Sequence, residues 1–163
     1  MLAETLNDFK IVNSVGEDLG KVKEFFFDLN TWDVSAFEIS PGIFKKDRLL
    51  PIQDVHEIKD EDKLLIVRDD FEGKELPATP VMEMFPFDEL KKKSVIDVKG
   101  EKVGKIYDLE VPYEKLKKLK VWKILVKTGF KDRRLRLAPN EIESVQEDIN
   151  LRKSLDDYQH KME

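Results

Sequence analysis

The chain contains no cysteine among its 163 residues, which excludes disulfides, thiolate metal sites and a cysteine nucleophile. Histidine is nearly absent too. His56 lies in a polar stretch after Pro51 and His160 in the tail, and neither has a second His or Cys at ligand spacing. Both read as ordinary surface histidines rather than as acid–base catalysts. No apolar run approaches the roughly 18 residues of a membrane span; Phe25-Phe26-Phe27 is closed off by Glu24 and Asp28. Met1 to Lys10 carries Glu4 and Asp8 and lacks the basic-then-apolar pattern of a secretory signal. The expectation is a cytoplasmic protein without direct membrane insertion.

Charge is abundant. Hydrophobic residues make up 40%, enough for a core, and charged residues 39%, against about 25% in ordinary soluble domains. Such a load of Lys and Glu suits a thermophilic source.

The chain also repeats itself. Val15-Gly16-Glu17-Asp18-Leu19-Gly20-Lys21-Val22 aligns with Lys99-Gly100-Glu101-Lys102-Val103-Gly104-Lys105-Ile106 at an offset of 84. Phe37 and Ile39 then align with Ile124 and Val126, Leu50 with Leu137, Val55 with Ile142 and Ile58 with Val145, at an offset of 87. The three added residues fall within 112–118. Each copy reads as short strands separated by turn residues, the pattern of a small sandwich or barrel. Gly16, Gly20, Gly100 and Gly104 are expected to form the tight turns, since glycine adopts positive φ readily. The organisation expected is a first barrel over 1–70, a connecting segment over 71–93, a second barrel over 94–153 and a tail over 154–163 that is polar or a short helix. Residues 8–68 and 94–152 should share one topology. The connecting segment holds Pro77, Pro80 and Pro86, yet also Val81, Met82, Met84, Phe85 and Phe87, too apolar for a free linker. Phe85 and Phe87 are expected to be mostly buried, against the barrels or against a second chain, and on the latter account are interface candidates.

Each copy resembles a PRC-barrel domain, the β-barrel module named after the cytoplasmic part of the photosynthetic reaction-centre H subunit. The resemblance rests on the glycine segment "GEDLGKV" or "GEKVGKI", an acid a few residues on (Asp28 or Asp108), the strands "WDVSAFEI" or "LKVWKILV", and the segment "LLPIQDVHEI" or "LRLAPNEIESV". It covers about 120 residues along the repeat. The second copy departs by its insertion and by Pro139, one place later than Pro51. The resemblance implies an all-β chain of two small barrels used as adaptors in complex assembly, as in reaction centres, ribosome maturation or archaeal division machinery. It brings no catalytic residues and no cofactor.

Chemistry-bearing motifs are weak. Asp60-Glu61-Asp62, Asp69-Asp70 and Asp156-Asp157 lack the spacing of a calcium loop. Gly16 to Lys21 has three residues between its glycines and Val22 after its lysine, whereas a phosphate loop needs four and a Ser or Thr.

Charge is also split along the chain. Residues 1–90 carry net −11, residues 91–136 net +10 and residues 137–163 net −4. The basic part could draw an acidic protein, anionic lipid or RNA, or pair with the acidic first copy. Lys117, Lys118, Lys120 and Arg134 are the interface candidates. Trp122 is a possible apolar anchor, because it interrupts the alternation of Val121, Ile124 and Val126 and has basic neighbours at Lys120 and Lys123. Phe25, Phe27, Trp32 and Phe37 sit at strand spacing and read as core. The functional expectation is a non-enzymatic adaptor or scaffold that binds protein partners, itself included. The alternative is an RNA- or ribosome-associated factor using the basic second barrel.

Overall fold

The computed structural model describes residues 2–40, 46–112, 120–129 and 133–158. The first half runs through β1 (Lys10–Val12), β2 (Asp18–Asp28), β3 (Asp33–Ser40), β4 (Arg48–Pro51), β5 (Val55–Lys59) and β6 (Leu64–Val67). A two-residue strand, β7 (Phe85–Pro86), and a short helix, α1 (Phe87–Lys92), follow. The second half holds β8 (Ser94–Ile96), β9 (Lys102–Glu110), β10 (Lys123–Thr128), β11 (Arg134–Leu137), β12 (Ile142–Val145) and β13 (Ile149–Leu151), and ends on α2 (Leu155–Tyr158).

The expected all-β architecture of two tandem, barrel-like units is present, each unit as an open, curled sheet. The strand orders are β4-β3-β2-β1-β6-β5 and β11-β10-β9-β8-β13-β12, with β7 added on β2. Each sheet has one parallel pair, β1 with β6 and β8 with β13. Even the irregularities repeat. Gly20 pairs with Ile11 and Gly104 with Val95, and a bulge follows between Ile11 and Val12 and between Val95 and Ile96. A second bulge displaces Lys23 on β2 and Tyr107 on β9, where an extra residue re-aims its side chain.

The glycines divide into two kinds. Gly16 and Gly100 sit in turns at φ +85° and +84°, open on the side a Cβ would occupy. Gly20 and Gly104 lie inside β2 and β9 rather than in the turn. A Cβ on Gly104 would stand 2.0 Å from the Lys127 carbonyl oxygen, so this glycine serves the close approach of two strands. The turns are organised instead by Asn13 and Asp97. Asn13 Oδ1 accepts the N–H groups of Val15 and Glu17, and Asp97 Oδ1 those of Lys99 and Glu101. Burial pushes the Asp97 carboxyl up, but N–H donors from Leu155, Glu101 and Lys99 outweigh it and hold the group below its usual range.

The halves exchange their leading turns. A 3-10 turn at Ala3–Leu6 precedes the first sheet and α1 precedes the second, 84 residues apart. The first turn docks on β9, and α1 lies against both β2 and β9. Glu24 accepts the N–H of Phe25 at 2.8 Å and of Asp88 at 3.0 Å. Asp108 accepts the N–H of Leu109 at 2.8 Å and of Glu4 at 3.1 Å. Each carboxylate thus satisfies a helix-start donor that would otherwise be orphaned. The acid equivalent to Asp108 is therefore Glu24, not Asp28, which accepts the N–H of Asn30 in its own turn. Lys91 on α1 pairs with Glu4 at 3.1 Å, tying the two turns together. One apolar cluster runs through both halves, from Leu6, Phe25 and Phe27 through Phe87 and Leu90 to Leu109 and Ile124. Tyr158 of α2 is fully buried in it, so the start of the tail is anchored.

The segment between β6 and α1 packs on the first sheet. Lys74 pairs with Leu49 through both backbone groups, and Leu76 and Met84 lie on Phe26, Ala36 and Leu49. Phe87 is 1% exposed and belongs to the shared core, with its ring 4.7 Å from that of Phe25. It is an internal residue and not an interface candidate. Phe85 is half-buried beneath the Lys93 ammonium, 5.8 Å from its ring centre.

Candidate protein-interaction surface

Strand alternation gives each sheet an inner face in the core and an outer face. On the second sheet Ile124, Val126, Leu135 and Leu137 point inward. The intervening Lys123, Leu125 and Lys127 of β10 and Arg134 and Arg136 of β11 point outward.

The outer faces of the two halves carry opposite chemistry at matching positions. On the first sheet Phe26, Ala36 and Leu49 form an apolar patch, covered by Leu76 and Met84 of the strap over 74–86. Their counterparts in the repeat are Glu110, Lys123 and Arg136. The Arg136 guanidinium forks onto Glu110, Nε to Oε1 at 2.9 Å and Nη2 to Oε2 at 2.6 Å, a two-point geometry that fixes both side chains.

A second trio is inverted the other way. Lys23 lies 2.7 Å from Asp47 and 3.4 Å from Glu38. The hydrogen bond to Asp47 leads in raising the Lys23 ammonium above its usual range. Burial raises the Glu38 carboxyl, against the pull of Lys23. The counterparts are Tyr107, Leu125 and Arg134, and here the Arg134 guanidinium stands 5.1 Å over the Tyr107 ring.

Trp122 completes the surface. It is 59% exposed, and its backbone N–H donates to the Glu110 carbonyl at 2.8 Å. Arg136, already fixed by Glu110, stands 5.5 Å from the indole ring centre. The indole is thus a positioned aromatic plate on an open face. Five residues further along β10, about 16 Å away at about 3.3 Å per residue, Lys105, Lys127 and Arg134 stand in register on three neighbouring strands. Like charges directly opposite one another weaken a sheet, and Lys105 and Lys127 form such a pair.

Two sequence candidates, Trp122 and Arg134, lie on the second sheet, Trp122 against Arg136 and Arg134 over Tyr107. Lys120 is placed elsewhere. Its backbone bridges to Asp33, and it lines an open cleft between the halves with Trp32, Ile142 and Arg152. Lys117 and Lys118 lie outside the described residues. Lys123, Lys127 and Arg136, part of the basic stretch in the sequence, are placed on one face by the alternation of β10 and β11, whereas Lys105 and Tyr107, the latter re-aimed by its bulge, were missed in the sequence. Among the described residues no group of three or more His, Cys, Asp and Glu side chains is placed to hold a metal ion, and no helix is long and apolar enough to cross a membrane.

An open sheet of six strands in one order with one parallel pair, repeated at offsets of 84 and 87 residues, defines a tandem small-barrel protein. The PRC-barrel domain model matches residues 1–74 and 82–149, and the chain belongs to that family. The second match begins at residue 82 and so takes in β7 and α1. PRC-barrel domains are protein-interaction modules. No curated protein matches the chain.

Proposed function

We propose that this protein is a non-enzymatic adaptor whose tandem PRC barrels bind protein partners, another copy of itself included, during assembly of a larger complex. An archaeal division complex in the cytoplasm is the finer form of this reading. The observation that carries it is Trp122, exposed and fixed in orientation on a basic outer face whose counterpart on the first sheet is already covered by the chain's own strap. Aromatic and arginine side chains of this kind dominate protein–protein contacts. A protein partner is favoured over RNA because the face presents one exposed tryptophan rather than a run of stacking rings, and because the first ninety residues carry net −11.

Cross-linking in native cells, followed by recovery of the full chain, tests the proposal. An adaptor recovers defined proteins in amounts unchanged by ribonuclease. Recovery that vanishes with ribonuclease, leaving cross-linked nucleic acid, would replace the adaptor by an RNA-associated factor.

A further inference from the structure

The strap over 74–86 shows what the outer face of this fold accepts: a proline-containing segment paired at Lys74 and at Phe85–Pro86 and turned between Val81 and Met84, with Leu76 and Met84 set on β2, β3 and β4. On the second sheet the same positions have changed character. Glu110, Lys123 and Arg136 replace Phe26, Ala36 and Leu49, Trp122 stands beside them, and Lys105, Lys127 and Arg134 form a basic row further along β10. An apolar strap no longer matches this floor. A segment laid across the same three strands, carrying acids toward the row and one apolar side chain toward the indole, does.

We propose that the outer face of the second sheet binds an acidic, extended segment of a partner protein, seated across β9, β10 and β11 with an apolar side chain on Trp122. This rests on the adaptor reading and gives it a partner class. Charge complementarity selects the occupant. The described part of the face holds Lys105, Lys123, Lys127, Arg134 and Arg136 against Glu110 and the buried Asp108. Opposite charges of this density steer encounter and fix orientation, and both effects fade as salt rises. Trp122 supplies the salt-resistant part of the contact.

The probe is a synthetic peptide of residues 69–86 of this chain carrying Leu76→Glu and Met84→Glu in place of the two apolar residues set on the first sheet; it contains three prolines, seven acids and one lysine. Its twin has every Asp and Glu changed to Asn and Gln. A twelve-nucleotide single-stranded RNA is the third ligand. Binding is read from the emission of Trp122 in the full-length protein; Trp32 is buried and contributes a constant background. The expected result is a saturable shift with the acidic peptide, at least tenfold weaker with the twin. It should weaken at least tenfold again when Lys123→Glu and Lys127→Glu are introduced together at unchanged melting temperature. If that double variant does not fold, the wild-type salt series decides: affinity must fall at least tenfold between 50 and 500 mM salt. No saturable binding, equal binding of the neutral twin, salt-independent binding or tighter binding of the RNA each overturns the proposal. A charge-reversed chain that still recovers its cellular protein partners in full sinks this inference while leaving the adaptor reading intact.

Discussion

Glu24 and Asp108 hold the same position in the two halves, and each carboxylate accepts a backbone N–H from the leading turn of the other half, Asp88 for Glu24 and Glu4 for Asp108. The relationship is reciprocal, so neither sheet is complete without its neighbour. A unit of about 65 residues buries too little surface to be secure alone. Exchange of the turns places Phe87, Leu90 and Leu6 in one continuous core and makes a single cooperative body from two small repeats.

The Glu24 carboxyl is the first place to test this. Burial raises it to about 7; the N–H donors of Asp88 and Phe25 oppose the rise and the Asp88 carboxylate adds to it. A group whose folded value exceeds its unfolded value contributes stability below the unfolded value and loses it as pH rises through the folded one. Stability should therefore fall between about pH 4.5 and pH 7 to 8 by about 2 kcal/mol, after allowance for its partial solvent screening. Glu24→Gln removes the titration. Melting temperatures at pH 5 and pH 8 should differ less in Glu24→Gln than in the wild type. An equal difference in the two proteins would show that Glu24 stays ionised throughout.

Exchange of the turns also predicts what a cut in the strap does. Ala78, Thr79 and Pro80 are exposed, so a protease site placed between Ala78 and Thr79 should be cleaved readily in the native state. After cleavage α1 stays docked on β2 and the Ala3–Leu6 turn on β9. The two fragments should co-elute as one species at the size of the intact chain and separate only in denaturant. Fragments that part in native buffer would show that the shared core is too weak to hold the halves.

Much of this architecture was legible in the sequence, and the losses have physical causes. The offsets of 84 and 87 gave the repeat, because strand cores and glycines must recur wherever the backbone does. The return to 84 at Leu65 and Ile149, partners of Ile11 and Val95, was hidden because the turn at 60–63 is longer than its counterpart near 146–148. Glu24 was passed over for Asp28 because it sits beside Phe25-Phe26-Phe27 and reads as a strand edge; only the N–H of Asp88, 64 residues away, gives it a role. α1 was lost among prolines, although Pro86 serves as the residue before its first turn. The inverted outer faces needed the register, since Arg136 and Glu110 are 26 residues apart and nothing local marks them as neighbours.

The two kinds of glycine should separate sharply on substitution. Gly104→Ala sets a methyl group 2.0 Å from the Lys127 carbonyl oxygen, and backbone on both sides must move. A loss of about 3 kcal/mol or more is expected. Gly16→Ala meets nothing within 4 Å and suffers only its φ of +85°, at a cost of about 1 kcal/mol. Urea denaturation of both variants checks the order. A Gly104→Ala protein as stable as Gly16→Ala would mean that β9 and β10 do not approach as closely as described.

The basic field around Trp122 can be read without any partner. The chain has two tryptophans, and they differ in exposure: Trp32 is 7% exposed and stacked on Phe27, whereas Trp122 is 59% exposed. Collisional quenchers in solution therefore report mainly on Trp122. Iodide is attracted by Lys123 and Arg136 next to the indole, and caesium is repelled, over a range of about 10 Å at 0.1 M salt. Iodide should quench the accessible emission several-fold more efficiently than caesium, with neutral acrylamide between them. Lys123→Glu together with Lys127→Glu should bring the iodide and caesium constants close together while leaving acrylamide unchanged, because charge is altered and exposure is not. Equal quenching by iodide and caesium in the wild type would mean that Glu110 and Asp108 cancel the local field, and the indole would then stand on a neutral surface that selects partners by shape alone.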